Sequence, residues 1–313
     1  MKIGFIGASG HFQQCLTAKY DSLEYIGCCK SALDEDITPL IAAFNSLGIN
    51  PVIYDNVDAL LDSGIDTVVV DGIFNTHSEC IIKALKKNIN VISEKPLATT
   101  IEDYYALKEI VLASKSRLFT LFTMRYEGCF ATVKDMLAKE AIGKIRLINA
   151  QKSYKLGSRP DFYKSRQAFG GFIPWVGIHM IDLILWYTGK KVIDLNAYQS
   201  RLYNKGHKEL EVSATINMQL EEEILTVINA DYLRPNNMAG HGDDRIRIVG
   251  THGIIEVQNN EVFLNGCKIK TKDTQPIFQA FVNNGVCDGL YSTEIALLAQ
   301  ASADKGVKNA TKI

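Results

Sequence analysis

The chain has 313 residues, 47% of them hydrophobic and 22% charged, with a formal net charge of −1. A single core stops growing near this length, so two domains are expected. The near-zero charge leaves no basic field for nucleic acid or an anionic membrane.

No apolar run reads as approaching the roughly 20 residues needed to span a bilayer. "MKIGFIGASG" reads as a first strand rather than a secretory signal, which gives the expectation of a cytoplasmic protein. The seven cysteines form no framework spacing, as expected of reduced thiols. The six histidines lack H-x-x-H or H-x-x-x-H spacing and there is no C-x-x-C, so no metal site is expected.

In the first third, strand and helix alternate. "KIGFIG" is a short apolar run that ends in glycine, and a helix is predicted from His11 to about Tyr20. "EYIGCCK" is a second strand, followed by a helix from Asp34 to Leu47. "PVIYD" is a short strand and "VDALLDSG" a short helix. "DTVVVDG" is a β-branched run with the look of a buried parallel strand. The next helix carries a capping-box pattern, Thr76 with Glu79, and the helix after "INVISEKP" carries another, Thr99 with Glu102. "RLFTLFTM" closes the series. This spacing predicts a Rossmann-type, doubly wound parallel sheet over residues 1–120.

From 121 to 313 the pattern changes. After a helix at Ala131–Ala141 come "IRLINAQKSY", "VIDLNAYQS", "LEVSATINMQL", "EILTVINADY", "RIRIVG", "GIIEV" and "EVFLNG", with one helix at about 174–188. An α+β domain with a large, mainly antiparallel open sheet is expected, and a last helix, about 289–304, is expected to pack on the first domain.

Three stretches carry candidate chemistry. In "GFIGASGHF" a glycine turn follows a strand and opens a helix, the setting in which backbone N–H groups hold a pyrophosphate. Counted from Gly7, the pattern G-x-G-x-x-G puts Ser9 and Phe12 where glycines are expected. Counted from Gly4, it runs through Gly7 and Gly10. Gly7, Ser9, Gly10, His11 and Phe12 are the candidates. At the end of the second strand, where an acid binds the ribose, stand Lys30 and Ser31. A cation and a hydroxyl suit a 2′-phosphate, which leans the expectation from NAD towards NADP. The alternative is a solvated loop lysine.

"NVISEKPLATT" ends a buried strand at the sheet edge where open parallel sheets bind ligands. Glu94 and Lys95 stand there, before a Lys95–Pro96 bond open to the cis form. "GGFIPWVGIHMID" puts His179 and Asp182 on one face of an apolar helix, together with Trp175 and Trp186. This is either a satisfied structural pair or an active site.

Together these stretches resemble the Gfo/Idh/MocA oxidoreductase family, which includes glucose–fructose oxidoreductase and inositol dehydrogenase. "DTVVVDGIFNTHSE" is similar to that family's strand-to-helix turn, with Asn75 and His77 in register and Ile73 and Phe74 where its proline would be. "EKP" matches fully. "TMRYEGCF" is similar to its Arg-aromatic segment, "GGFIPWVGIHMID" to its Gly-Gly and Gly-x-His-x-x-Asp, and "RIRIVGTHGIIEV" to its late hairpin. Where the family often has an aspartate four residues before the histidine, this chain has Trp175.

The resemblance implies hydride transfer between a nicotinamide and a carbinol or carbonyl carbon. The substrate would be a small sugar-, cyclitol- or dihydrodiol-like molecule. His179 would move the proton and Lys95 would stabilise the alkoxide. Gly72, Phe74, Asn75, His77, Glu94, Lys95 and Pro96 would line the cofactor site.

Asp182 would orient His179 or bind substrate, and Trp175 would stack on it or close the pocket. Arg125 is either a pocket residue or an inter-domain clamp. Tyr154 and Lys152 are placed to face the crevice. In "DYLRPNNMAGHGDDR", Tyr232, His241 and Asp244 either reach the substrate or form a surface turn. Two further readings stay open: a non-catalytic dinucleotide- or sugar-binding regulator, and redox-neutral elimination. A homodimer or homotetramer is expected through the second sheet, because apolar residues of "VSATINMQL" are read as lying on its uncovered face.

Overall fold

The computed structural model describes residues 1–17, 22–283, 285 and 287–309. The chain divides into two compact units. The first holds Met1–Phe122, Gln167–Gly170 and Pro276–Thr293, and the second holds Thr123–Arg166, Gly171–Gln275 and Glu294 onward.

The first unit contains a six-stranded parallel sheet made of β1 (Lys2–Ile6), β2 (Glu24–Cys29), β3 (Val52–Ile53), β4 (Thr67–Val70), β5 (Asn90–Ser93) and β6 (Leu118–Thr120). Their order, β3-β2-β1-β4-β5-β6, reverses direction beside β1. In such a sheet ligands bind beyond the C-terminal ends of the strands at the reversal. Val68, Val69, Val70, Val91 and Ile92 are fully buried, as a sheet covered on both faces requires. Each such side chain contributes about 1.5–3 kcal/mol.

Helices Thr38–Ser46, Val57–Leu61, His77–Lys86 and Ile101–Ala113 connect these strands.

The second unit carries an eight-stranded sheet in the order β14-β13-β12-β11-β7-β10-β9-β8. Its strands are β7 (Ile145–Tyr154), β8 (Val192–Ser200), β9 (Ser213–Leu220), β10 (Ile224–Asp231), β11 (Gly242–Gly250), β12 (Ile254–Gln258), β13 (Glu261–Leu264) and β14 (Cys267–Ile269). All neighbours are antiparallel except β7 and β10. The two-residue period is plain in β9, where Ala214, Ile216, Met218 and Leu220 are buried between less buried polar neighbours. The helix Ile178–Thr188 supplies one buried apolar layer. It ends at Gly189, whose φ of 62° is left-handed, as helix C-termini often require.

Several expectations need correction. No helix runs from His11: a three-residue 3₁₀ turn, Phe12–Gln14, replaces it, and the end of the predicted helix, residues 18–21, lies outside the described residues. The N–H groups that would open that helix are taken by the side chain of Asp71, the residue after β4. The chain beyond the turn is pinned by Tyr25, whose hydroxyl accepts the Thr17 N–H at 3.0 Å.

The Thr76–Glu79 cap does not form. The Thr76 hydroxyl donates to the Ile73 carbonyl, and Glu79 pairs with Lys83. The second cap is displaced by one residue: Thr100, not Thr99, accepts the N–H of Asp103. β11 begins at Gly242, inside the predicted loop, because Gly242–Asp244 pair with the end of β7. β14 and the helix Ile277–Val282 were not anticipated.

The outward residues of β9 are Ser213, Thr215, Asn217 and Gln219, so its apolar residues all face inward, against the expectation of an apolar outer face. Finally, Arg166–Thr188 is long and apolar enough to cross a membrane by length and composition. With 94% of its apolar window buried, it is a core element.

Candidate active site

The turn after β1 is held from below by two carboxylates. Asp71, the residue that follows β4, is fully buried. Its Oδ2 accepts the N–H groups of Gly10 at 3.2 Å and Phe12 at 2.9 Å, and its Oδ1 accepts that of His11 at 3.0 Å. Glu35, also buried, accepts the Ala8 N–H at 3.1 Å and the Ser9 hydroxyl at 2.6 Å. Its other oxygen takes the Ser31 N–H and hydroxyl, both at 2.7 Å. Gly7 has φ +78°, and a Cβ there would sit 2.3 Å from the Cα of Gly72. The turn after β1 and the turn after β4 therefore touch backbone to backbone.

The Glu94-Lys95-Pro96 corner ends β5 beside this turn. Glu94 Oε2 lies 2.6 Å from Nδ1 of His11, and Glu94 Oε1 accepts the Lys95 N–H at 2.9 Å. Lys95 is 1% exposed, with Nζ 3.8 Å from Glu94, and the Lys95–Pro96 bond is cis.

Burial alone would raise the Glu94 pKa, but the charges of His11 and then Lys95 outweigh it and bring it to about 2. Burial, and next the negative charge of Glu94, push the Asp71 carboxyl above its ordinary value against the pull of the three N–H bonds.

Gly72 and Pro96 are bridged by buried His77, whose Nδ1 and Nε2 lie 2.8 and 2.9 Å from the carbonyls of Pro96 and Gly72. Burial lowers the His77 pKa, and the two carbonyls pull the other way. Phe74 is buried against His77, at 5.6 Å between rings, whereas Asn75 is exposed. Lys30 is exposed and donates to the Leu33 carbonyl at 3.3 Å. A cleft of about 260 Å³ lies beside it, lined among others by Ser31, Asp55, Asn56, Thr76 and Glu79.

In the second unit the stretch Ile173–Gly177 is a π-helix that runs into the α-helix Ile178–Thr188. Wide turns of this kind often mark functional sites. Pro174 has no N–H to continue an α-helical ladder, and the Ile173 N–H goes to the side chain of Gln300 at 3.3 Å. A Cβ on Gly171 (φ +123°) would strike that same side chain at 2.4 Å. Trp175, His179 and Asp182 are all buried here. Asp182 receives a two-pronged bond from Arg125, Nε to Oδ2 at 2.7 Å and a terminal nitrogen to Oδ1 at 2.6 Å. Trp175 meets Tyr163 edge-on at 6.2 Å.

Tyr154 stacks on His241 at 5.1 Å and lies 6.4 Å from Tyr232. The Arg159 guanidinium lies over the Tyr232 ring at 4.5 Å. Lys152, 2% exposed, pairs with Asp244 and lies over the Tyr154 ring at 4.7 Å. Burial works to lower the Lys152 pKa, but Tyr154 and Asp244 outweigh it and raise it. A groove of about 490 Å³, lined by Leu137, Lys144, Tyr187 and His252 among others, holds none of the expected residues. Among the described residues no group of three or more His, Cys, Asp or Glu is placed to hold a metal ion.

The sequence reading missed Asp71, Glu35 and Arg159. The signal for Asp71 was available: an aspartate that ends a buried β-branched strand and precedes a glycine needs N–H donors. Lys30 and Ser31 were expected at the place of the ribose acid, and the buried carboxylate there is Glu35, four residues past Ser31.

Residues 1–122 match the family described as "Oxidoreductase family, NAD-binding Rossmann fold", and residues 130–256 match the GFO/IDH/MocA C-terminal domain. The fold is thus that of an NAD-binding oxidoreductase, and the chain belongs to the Gfo/Idh/MocA family. A solved Thermotoga maritima structure, assigned provisionally to the oxidoreductases, is 40% identical, with 98% of each chain covered and a TM-score of 0.94.

The myo-inositol 2-dehydrogenase of Thermotoga maritima is 26% identical over 216 residues, 68% of this chain and 62% of that protein. Scyllo-inositol dehydrogenase from Lactobacillus casei, solved with NAD(H) and scyllo-inositol, shares the fold at 22% identity and a TM-score of 0.75, with 97% of each chain covered. Matches to the curated relatives span from 33% to 70% of the length of those proteins, and the first three stay below two thirds.

The Lys152–Asp244 pair yields a stability prediction. Lys152→Met leaves a half-buried carboxylate without its cation and lowers unfolding free energy by about 2 kcal/mol. Asp244→Asn in the same chain recovers much of that loss. A double-mutant cycle by urea unfolding checks this, and additive effects contradict it.

Proposed function

We propose that this protein is a nicotinamide-dinucleotide-dependent oxidoreductase acting on a carbinol or carbonyl carbon of a small sugar-, cyclitol- or dihydrodiol-like substrate. The observation that carries the reading is Lys95, a lysine buried to 1% exposure at the C-terminal edge of a parallel strand. That edge is where open sheets bind ligands, and the Lys95 ammonium stands there beside Glu94 Oε1, at 3.8 Å.

The dinucleotide supplies the hydride acceptor or donor when bound. The protein's part is proton and charge handling. Lys95 holds positive charge against the alkoxide oxygen, and His179 takes or returns the hydroxyl proton. Arg125 fixes Asp182 in one orientation with its two bonds, so Asp182 is a rigid acceptor for a substrate hydroxyl. Tyr154, Trp175 and Tyr232 supply flat apolar surface for a ring. The inositol bound by the Lactobacillus casei relative supports a cyclic polyol-like substrate class.

For the adenosine end, the cleft beside Ser31 and Asp55 supports a nucleoside. Ser31 gives its N–H and hydroxyl to Glu35, and that carboxylate opposes a 2′-phosphate, which supports NAD. The lean towards NADP rests on Lys30 alone. The convergence of three N–H groups on Asp71 fits the chemistry of a diphosphate, with the chain's own anion in its place. That same observation favours a second reading, a non-catalytic dinucleotide-binding regulator.

A homodimer or homotetramer through the open sheet face remains part of the proposal. Its support moves from β9 to the row Ile254, Val249, Leu147 and Leu225, which runs across four paired strands. Each of the four has partial or full exposure. Light scattering at micromolar concentration is expected to give at least a dimer, and a monomeric mass contradicts it.

His179→Ala and Lys95→Ala are each expected to lower turnover roughly 100- to 10,000-fold, with dinucleotide affinity nearly unchanged. Nicotinamide absorbance with a panel of sugars, cyclitols and dihydrodiols reads the rate, and melting temperature on the same samples reads the fold. A destabilised His179→Ala with full activity per folded molecule removes the catalytic role.

A further inference from the structure

The backbone N–H groups of the turn from Gly7 to Phe12 are all in use. Gly7 donates to the Cys29 carbonyl at 2.9 Å and Ser9 to the Asp71 carbonyl at 2.7 Å. Ala8 donates to Glu35, and Gly10, His11 and Phe12 donate to the Asp71 carboxylate. The Ser9 hydroxyl is bound to Glu35 as well.

The space that a phosphate would enter beside Gly10 is also filled. A Cβ on Gly10 would lie 2.4 Å from Asp71 Oδ1 and 2.8 Å from Cγ of Glu94. Three buried carboxylates, Asp71, Glu35 and Glu94, therefore stand where a diphosphate anion needs donors.

We propose that Asp71 is a built-in occupant of the diphosphate-binding turn, and that a dinucleotide binds by displacing its carboxylate from the three N–H groups. The proposal rests on the dinucleotide reading given above and adds how that site is regulated. Geometry and charge lead to it together. An anion nest needs converging N–H donors, and here they converge on one oxygen pair supplied by the chain. A second anion cannot share those donors, and its charge opposes those already present. The adenosine cleft lies beside Ser31 and Asp55 and does not include the Asp71 carboxylate. Recognition is thereby divided: the nucleoside end is open, and the diphosphate end must be won from Asp71.

The test compares NADH and adenosine binding to the wild-type protein, Asp71→Ala and Asp71→Asn at one ionic strength. Energy transfer from tryptophan to the nicotinamide follows NADH, and calorimetry follows adenosine. Asp71→Asn keeps the side chain's size, so it covers the case in which Asp71→Ala does not fold, and circular dichroism checks each protein.

The expected result is that removing the carboxylate tightens NADH binding by about tenfold or more, consistent with the release of charge-assisted bonds, and leaves adenosine binding unchanged. NADH affinities that are equal across the three proteins, or weaker in both variants, overturn the proposal and leave the dinucleotide reading standing. No NADH binding by any of three folded proteins overturns both.

Discussion

The carboxylate of Asp71 beneath the first glycine turn is the interaction on which the shape of that turn depends. Hydrogen bonds to a charged group contribute about 1.5–3 kcal/mol each, and Asp71 accepts three from consecutive residues. Those bonds fix the turn without the helix that a dinucleotide fold usually places there. They make glycine necessary at position 10 and bring Phe12 into the core.

They also bring one buried acid next to another. Glu94 keeps its charge because His11 and Lys95 flank it, and its charge in turn bears on Asp71. The glycine turn and the Glu94-Lys95-Pro96 corner are thus one electrostatic unit, and a substitution in either is felt in the other.

The second unit solves a different problem: how to hold polar groups still inside an apolar helix. The fork from Arg125 satisfies both oxygens of Asp182, and a planar guanidinium does this in one orientation only. The π-turn at Ile173–Gly177 follows from Pro174, from the Gln300 side chain and from Gly171, where a Cβ has no room beside Gln300. Around it Lys152 lies over the Tyr154 ring, and Arg159 lies over the rings of Tyr163 and Tyr232. Trp175 stands where the family often carries an acid, and it meets Tyr163 edge-on at 6.2 Å.

Much of this was legible because periodicity reports burial directly. The all-apolar Val68–Val70 run and the two-residue alternation of Ala214, Ile216, Met218 and Leu220 specify a covered parallel sheet and a one-sided antiparallel one. The burial of Lys95, His179 and Asp182 was legible too, the first from its place at the end of a buried strand and the other two from lying inside an apolar helix.

What was not legible depended on contacts between residues far apart in the chain. No local pattern tells that Asp71 reaches back about 60 residues to the turn, that Arg125 is the partner of Asp182, or that Gln300 meets Ile173. The missing first helix has the same cause. Its sequence was read by local propensity, whereas its N–H groups were satisfied from another strand. The capping boxes failed more simply, since a hydroxyl one residue away had the better geometry for Asp103, and Thr76 found a carbonyl instead.

The measurement that bears most directly on this account is a crystal structure of the protein grown with saturating NADH. The account predicts the diphosphate on the N–H groups of Gly10, His11 and Phe12, with the Asp71 carboxylate withdrawn from all three and the adenosine in the cleft beside Ser31 and Asp55. A bound dinucleotide with Asp71 still accepting those three N–H groups would contradict it.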